Sequence, residues 1–179
     1  MSQMQAMDPE LANAFREAMR GMANSVVLVT TWFEGQPWGL TVSACCSVSA
    51  APPMLLVSVG AHTITARAIR QCGRFGVNIL SEKQVALAQF GARPQAPKFC
   101  QEHCACSSLS LEQTPIIENA VAHFCCRAER EIIAADHVIW IGAVENVTRS
   151  MSDRPLLHYD RQFRKLGDEP LFVSDTRAI

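Results

Sequence analysis

The sequence predicts a mainly β domain of the α+β kind, an antiparallel barrel with a few peripheral helices. Three observations point there. Many short runs are rich in β-branched and aromatic residues, two pairs of such runs are separated by tight turns, and the regular strand–helix alternation that builds a parallel sheet is missing. With 179 residues, 49% of them hydrophobic, the chain has material for one core. A single domain over 1–179 is therefore expected, with an N-terminal helix at about 8–22, a core at about 23–166 and a C-terminal tail at 167–179.

The first element is announced by Asp8, Pro9 and Glu10: an N-cap, a proline at the first helical position and an acid in the first turn. Leu11, Phe15, Ala18, Met19 and Met22 follow at three- and four-residue intervals, so this helix carries an apolar face for docking and stops near Gly21. SVVLVTTWF, the turn EGQP and WGLTVSACCSVS read as a hairpin, and Ala51-Pro52-Pro53 separates it from the strand MLLVSV. His62 or Thr63 opens a helix through ITARAIRQC, which Gly73 closes. FGVNIL is again a strand. Ser81 and Gln84 match a capping box for a short helix through ALAQF to Gly91. From there to Pro115 the chain reads as irregular. Strands at about 121–133 and 137–148 meet at an AAD turn as a second hairpin, and 155–166 adds a last β segment.

A formal net charge of −1 gives no electrostatic reason for nucleic acid or an anionic membrane as the principal ligand. No run approaches the roughly 18 apolar residues of a membrane span, and MSQMQAMDPE shows no basic segment leading into an apolar one, so a cytoplasmic location is expected. In that setting the eight cysteines are expected as reduced thiols acting as small hydrophobes, without a structural disulfide. Cys100, His103, Cys104 and Cys106 form a soft-ligand set, but Cys-x-x-x-Cys-x-Cys lacks the paired knuckles of structural zinc sites; no metal is assigned, and a thiol-bearing or redox-sensitive loop is the expectation.

Neither Gly-x-Gly-x-x-Gly nor a Walker-type Gly-x-x-x-x-Gly-Lys is present, so a nucleotide would be held without those anion sites. The most informative stretch is GLTVSACCSVSAAPP, Gly39 to Pro53, an alternating strand running into a hydroxyl-rich turn and a double proline. Its Thr41, Ser43 and Cys45 share one face and Val42, Ala44 and Cys46 the other, so a bend or bulge near Ala44–Cys46 is needed before all can address one ligand. GRFGVNIL at 73–80 and Asp136-His137 before VIWIGAV are companion patches.

With these three patches, over roughly Phe15 to Leu166, the chain resembles the short-chain flavin reductases, the NAD(P)H:flavin oxidoreductases that serve two-component monooxygenases. The resemblance implies a Greek-key split β-barrel, usually dimeric, with flavin near the subunit interface. It implies hydride transfer from NADH or NADPH to FMN or FAD, and a separate oxygenase that receives the reduced flavin. Carried onto this chain, it implies that Thr41, Ser43 and Ala44 line the isoalloxazine ring, and that Cys46, Ser47 and Ser49 turn donors toward ribityl and phosphate. Asn78 then stands at the flavin edge, with Phe75 packed inward, Phe90 against the ring and His137 facing the nicotinamide. Where the family has paired serines before a helix, this chain has His62 and Thr63, and Thr63 keeps a hydroxyl for the phosphate. Its usual apolar-Tyr-His-x-Gly pattern appears here with His158 and Tyr159 exchanged and Arg161 in place of glycine, which offers opposite strand faces. Two other readings are a non-catalytic flavin- or haem-binding barrel, and a metal or redox module built on the Cys/His loop.

Overall fold

The computed structural model describes residues 8–105, 113–150 and 154–167. Helix α1, Pro9–Met19, begins as its signals predict: the Asp8 carboxylate accepts from the Glu10 and Leu11 N–H groups, and Pro9 sits at the first turn. Its apolar face is not covered by the described residues. Leu11, Phe15, Met19 and Met22 are all exposed and no α1 residue is buried. What ties the helix down is polar, an ion pair from Arg20 to Asp160 with Arg20 also bonded to Glu17.

Seven strands form the main antiparallel sheet: β2 Val27–Phe33, β3 Gln36–Val42, β4 Cys45–Ala50, β5 Pro53–Gly60, β6 Arg74–Ile79, β7 Ala122–Ala134 and β8 His137–Arg149, in the order β3-β2-β6-β7-β8-β5-β4. A small sheet adds β1 Asn24–Ser25, β9 Leu157–Tyr159 and β10 Gln162–Arg164. The anticipated hairpin extension from β3 into β4 is thus divided, and its two halves lie on opposite edges of the sheet. In a flat sheet those edges would be about 29 Å apart at about 4.8 Å per strand, yet only Ser43 and Ala44 connect them, a reach of about 10 Å. The sheet therefore curls on itself without closing its ladder.

Curling explains the long apolar runs. On β2, Val27 and Val29 point into the interior with Leu55, Val57, Phe75, Val77, Val138 and Trp140. Val26 and Leu28 point the other way, into a second cluster with Leu80, Leu87, Ala88, Cys100 and Leu156. A strand buried on both faces has no reason to alternate polarity.

Helix α2, Ile64–Cys72, starts at Thr63, whose hydroxyl accepts from the Ala66 N–H, and ends at Gly73 with φ +67°. Helix α3, Val85–Ala92, realises only half of the expected capping box. The Gln84 side chain accepts from the Ser81 N–H at 2.9 Å and donates to the Glu118 carbonyl, while the buried Ser81 hydroxyl caps nothing. The described residues between α3 and β7 form a short 3₁₀ turn, Gln101–His103, and otherwise no helix or named strand. The β7–β8 turn places Ala135 at φ +53°, and the β9–β10 turn places Asp160 and Arg161 at φ +47° and +60°. Arg161 thus occupies a left-handed position that suits glycine. The expected tail beyond 167 lies outside the described residues. No described helix is long and apolar enough to cross a membrane.

Candidate functional site

The break between β3 and β4 is the feature that makes a site. At Ser43 and Ala44 the chain belongs to neither edge ladder. The Ala44 carbonyl accepts from the Ser58 N–H and the Ser43 carbonyl from the Cys45 N–H, but neither the Ser43 nor the Ala44 N–H meets an acceptor among the described residues. A pair of unspent N–H groups on a rigid strand end is a donor set for a planar, carbonyl-rich ligand. This is the bend that the periodicity of Thr41 to Cys46 required, and a register shift between Ser47 and Ser49 adds a bulge on β4.

Two recesses flank the break. One, of about 430 Å³, lies at the barrel end where β2 and β7 begin; Ser43, Cys45, Cys46, Ser47 and Ser49 line it together with Val77 and Phe124. It holds hydroxyls and thiols but no cation, and burial pushes the Cys45 thiol up to about 11, so Cys45 is a neutral wall there. The other, of about 570 Å³, lies at the opposite barrel end and is lined by Phe33, Trp38, Leu40, His62, Thr63, Lys98 and Phe99 among others. Leu40 and Ser43 stand three residues apart on the same stretch, so roughly 10 Å of strand connects the two recesses.

The second recess holds a buried cation, with the Glu34 carboxylate also in its lining. Lys98 is only 7% exposed, and its ammonium donates to the backbone carbonyls of Arg93 and Ala96. Burial lowers its pKa, because the charge is poorly solvated there. Thr63, the cap of α2, lines the same recess, as do three rings: Trp38 packs edge-on against Phe33 at 5.4 Å and Phe99 at 5.1 Å. Arg67 sits over the Phe33 ring at 5.2 Å. Lys98, Trp38 and Phe99 were not singled out by the sequence. A lysine in an irregular segment carries no pattern, and only its burial without a counter-charge reveals it.

The remaining expected residues are placed as follows. The Thr41 hydroxyl donates to the Ala88 carbonyl at 2.8 Å, and Thr41 and Ser43 line a crevice of about 180 Å³ with His158 and Phe163. Close approach of α3 there depends on Gly91, since a Cβ would run into Thr41 and Leu28. Phe90 packs on the second core cluster, 6.2 Å from the His103 ring, and faces neither recess. Tyr159 is exposed and His158 packs edge-on to Phe163, the two-face arrangement expected of the exchanged pair.

Asn78 requires a correction. It is fully buried, donates to the Leu28 carbonyl and the Thr30 hydroxyl, and its own carbonyl accepts from the Ile117 N–H and from His123 Nδ1, all within 3.1 Å. Because Asn78 Oδ1 can only accept, His123 carries its proton on Nδ1, and Nε2 accepts from the Thr114 hydroxyl at 3.1 Å. The amide is a latch that pins 114–117 to the barrel, with nothing left for a flavin edge. Phe75 does pack inward, fully buried.

His137 lies at the end of β8 paired with Gly60, so it shares one end of β5 with Thr63, whose N–H donates to Gly60. Its Nδ1 is 2.8 Å from Asp136 Oδ1, an exposed pair in which the imidazole lowers the Asp136 pKa. With Nδ1 held by the carboxylate, Nε2 is the nitrogen turned outward. It lines neither recess. No group of three or more His, Cys, Asp or Glu side chains among the described residues is placed to hold a metal ion.

The flavin reductase like domain matches residues 19–167, and the chain belongs to that family. It is 35% identical over 150 residues to the reductase component of a flavin-dependent trigonelline monooxygenase of Acinetobacter baylyi, covering 83% of this chain but only 46% of that protein. It is 35% identical over 165 residues to an FMN reductase (NADH) of Methylorubrum extorquens, covering 90% of this chain and 80% of the relative. Among solved structures, the NADH:FAD oxidoreductase SgcE6 of Streptomyces globisporus C-1027, in complex with NAD and FAD fragments, superposes with a TM-score of 0.80 at 25% identity, over 92% of this chain and 98% of that one. The chain is thus an oxidoreductase of the flavin reductase class.

Proposed function

We propose that this protein takes hydride from NADH and delivers it to FMN or FAD held at the β3–β4 break, releasing reduced flavin to a separate monooxygenase. The observation that carries the reading is the juxtaposition of two unspent N–H groups, at Ser43 and Ala44, with a buried cation one recess away. The donor set fits a flavin nucleotide. N–H groups, with the hydroxyls of Ser47 and Ser49, suit the polar edge of the isoalloxazine, the Ser43 hydroxyl suits a ribityl chain running back along β3, and Lys98 with the Thr63 hydroxyl suits phosphate. The phosphate belongs with Lys98 because the cavity holding Ser47 and Ser49 has no positive charge to offset it.

When bound, flavin and nicotinamide carry the redox chemistry themselves. The chain's part is to place the two rings and exclude water. His137, oriented by Asp136, is the positioning residue at the nicotinamide side. Relatives named as NADH-dependent favour NADH over NADPH, and both FMN and FAD appear in their names. The curled, unclosed sheet agrees with a Greek-key split barrel, and the exposed stripe of α1 and the exposed Ile132 and Ile133 on the β7–β8 hairpin agree with a homodimer. A cytoplasmic location completes the reading and rests on the sequence.

Equilibrium titration tests the site. FMN and FAD bind and riboflavin, lacking phosphate, binds at least several-fold more weakly; equal affinity for riboflavin and FMN would remove Lys98 and Thr63 from the reading.

A further inference from the structure

The Cys100–Cys104 part of the Cys-x-x-x-Cys-x-Cys segment lines neither recess, yet it stands directly behind one of them; Cys106 lies outside the described residues. Lys98 to Cys100 runs along the outer edge of β3: the Gly39 N–H donates to the Lys98 carbonyl, Phe99 bridges to Trp38, and the Cys100 N–H donates to the Pro37 carbonyl. The 3₁₀ turn Gln101–His103 then brings Cys104 back, so that the Cys100 and Cys104 sulfurs lie 3.8 Å apart and Cys104 Sγ reaches the Cys100 carbonyl at 3.1 Å. Both are buried; Cys104, at 8%, keeps a sliver of exposure and Cys100 has none.

We propose that Cys100 and Cys104 are a reversible disulfide-forming pair, oxidised by hydrogen peroxide, whose closure loosens the Gln95–Phe99 wall of the aromatic recess. The source of the peroxide rests on the function proposed above, because reduced flavin that meets dioxygen in water reduces it to peroxide. The Cys104 thiolate attacks the peroxide: an S–O bond forms, the O–O bond breaks, and hydroxide leaves and takes up the thiol proton as water. Cys100 sulfur then attacks the sulfenic acid; the S–S bond forms, the S–O bond breaks and a second water leaves. Two thiols and one peroxide become one disulfide and two waters, and a dithiol reductant reverses the change.

Closing the sulfurs from 3.8 Å to a bond of about 2.05 Å draws Cys100 away from its seat. That seat is tight, since a Cβ on Gly39 would stand 3.3 Å from Cys100 Sγ and closer to Leu28. The pull passes through one residue to Phe99 and through two to Lys98, so the recess loses its cation placement when peroxide accumulates.

The test uses the full-length protein, reduced and free of flavin, treated with hydrogen peroxide, blocked with a maleimide and digested after Lys98, Glu102 and Glu112. A linked pair of fragments 99–102 and 103–112 is expected in the wild type and in Cys106→Ser, reversed by dithiothreitol and absent in Cys104→Ser. Hydrogen exchange over 95–99 rises on oxidation in the first two and not in the third, and FMN affinity falls several-fold with the same pattern. A missing link, a link that survives Cys104→Ser, or a link that leaves exchange over 95–99 unchanged overturns the proposal. Link and exchange need no flavin, so a protein that forms both but binds no FMN refutes the flavin reading while the switch stands.

Discussion

Lys98 is the side chain with most at stake. It is a cation that is 7% exposed and, among the described residues, bonds to two backbone carbonyls. Replacing it by methionine keeps the stem and removes one charge-assisted contact, about 1.5–3 kcal/mol, or roughly ten- to a hundred-fold in FMN and FAD affinity. Riboflavin affinity should not change; a matching loss for riboflavin in the same titration would mean that Lys98 only shapes the wall. Ser47→Ala should cost about 1 kcal/mol of flavin binding, the scale of one neutral hydrogen bond. His137→Ala should slow NADH oxidation and leave the flavin dissociation constant within several-fold, because His137 is exposed and lines neither recess. Lost flavin binding with unchanged turnover at saturating flavin would contradict its placement.

Element boundaries were legible where local chemistry decides them: Asp8 and Pro9 for α1, Thr63 and Gly73 for α2, the β7–β8 turn around Ala135 and Asp136. The bend after Ser43 was legible too, because strict alternation cannot point Thr41 and Cys46 at one ligand. Partnering across the fold was not. Asn78 reads locally as a polar strand end, and only the register opposite His123 shows that its amide is consumed inside. Phe90 reads as ring contact or core, and in the fold it packs, half-buried, against the second core cluster. The β3–β4 division to opposite edges was hidden because nothing in a strand sequence states which neighbour it will pair with.

The Asn78–His123 latch has a pH signature. Burial pushes the His123 pKa down to about 4, below its ordinary 6.5. The folded protein therefore refuses a proton that the unfolded chain accepts. This contribution is fully present above pH 6.5 and is lost as pH falls toward 4, about 2 kcal/mol by pH 5 at 1.36 kcal/mol per unit. Urea unfolding at pH 7 and pH 5 should show that loss, and His123→Gln should shrink it; an identical pH dependence in the variant would contradict the assignment. The network also needs Gly76. A Cβ there would stand 2.8 Å from His123 and 2.9 Å from Thr114, so Gly76→Ala should destabilise by about 1–3 kcal/mol in the same assay, and an unaltered midpoint would show that the latch can yield.

At the scale of the molecule, one curl of one sheet creates the function. It separates β3 from β4, leaves the Ser43 and Ala44 N–H groups without an acceptor among the described residues, and sets an uncharged cavity and the recess lined by Lys98 within one strand length of each other. The same construction leaves the apolar stripe of α1 exposed among the described residues. A dimer should therefore be seen by light scattering, and Phe15→Asp should shift it toward monomer if α1 is the contact. The most direct test of the central claim is steady-state oxidation of NADH by the purified protein, with and without added FMN or FAD. Turnover that depends on added flavin and saturates with it is the predicted result. No NADH oxidation with either flavin, in protein that binds both, would contradict it and leave a flavin-binding barrel without a reductase.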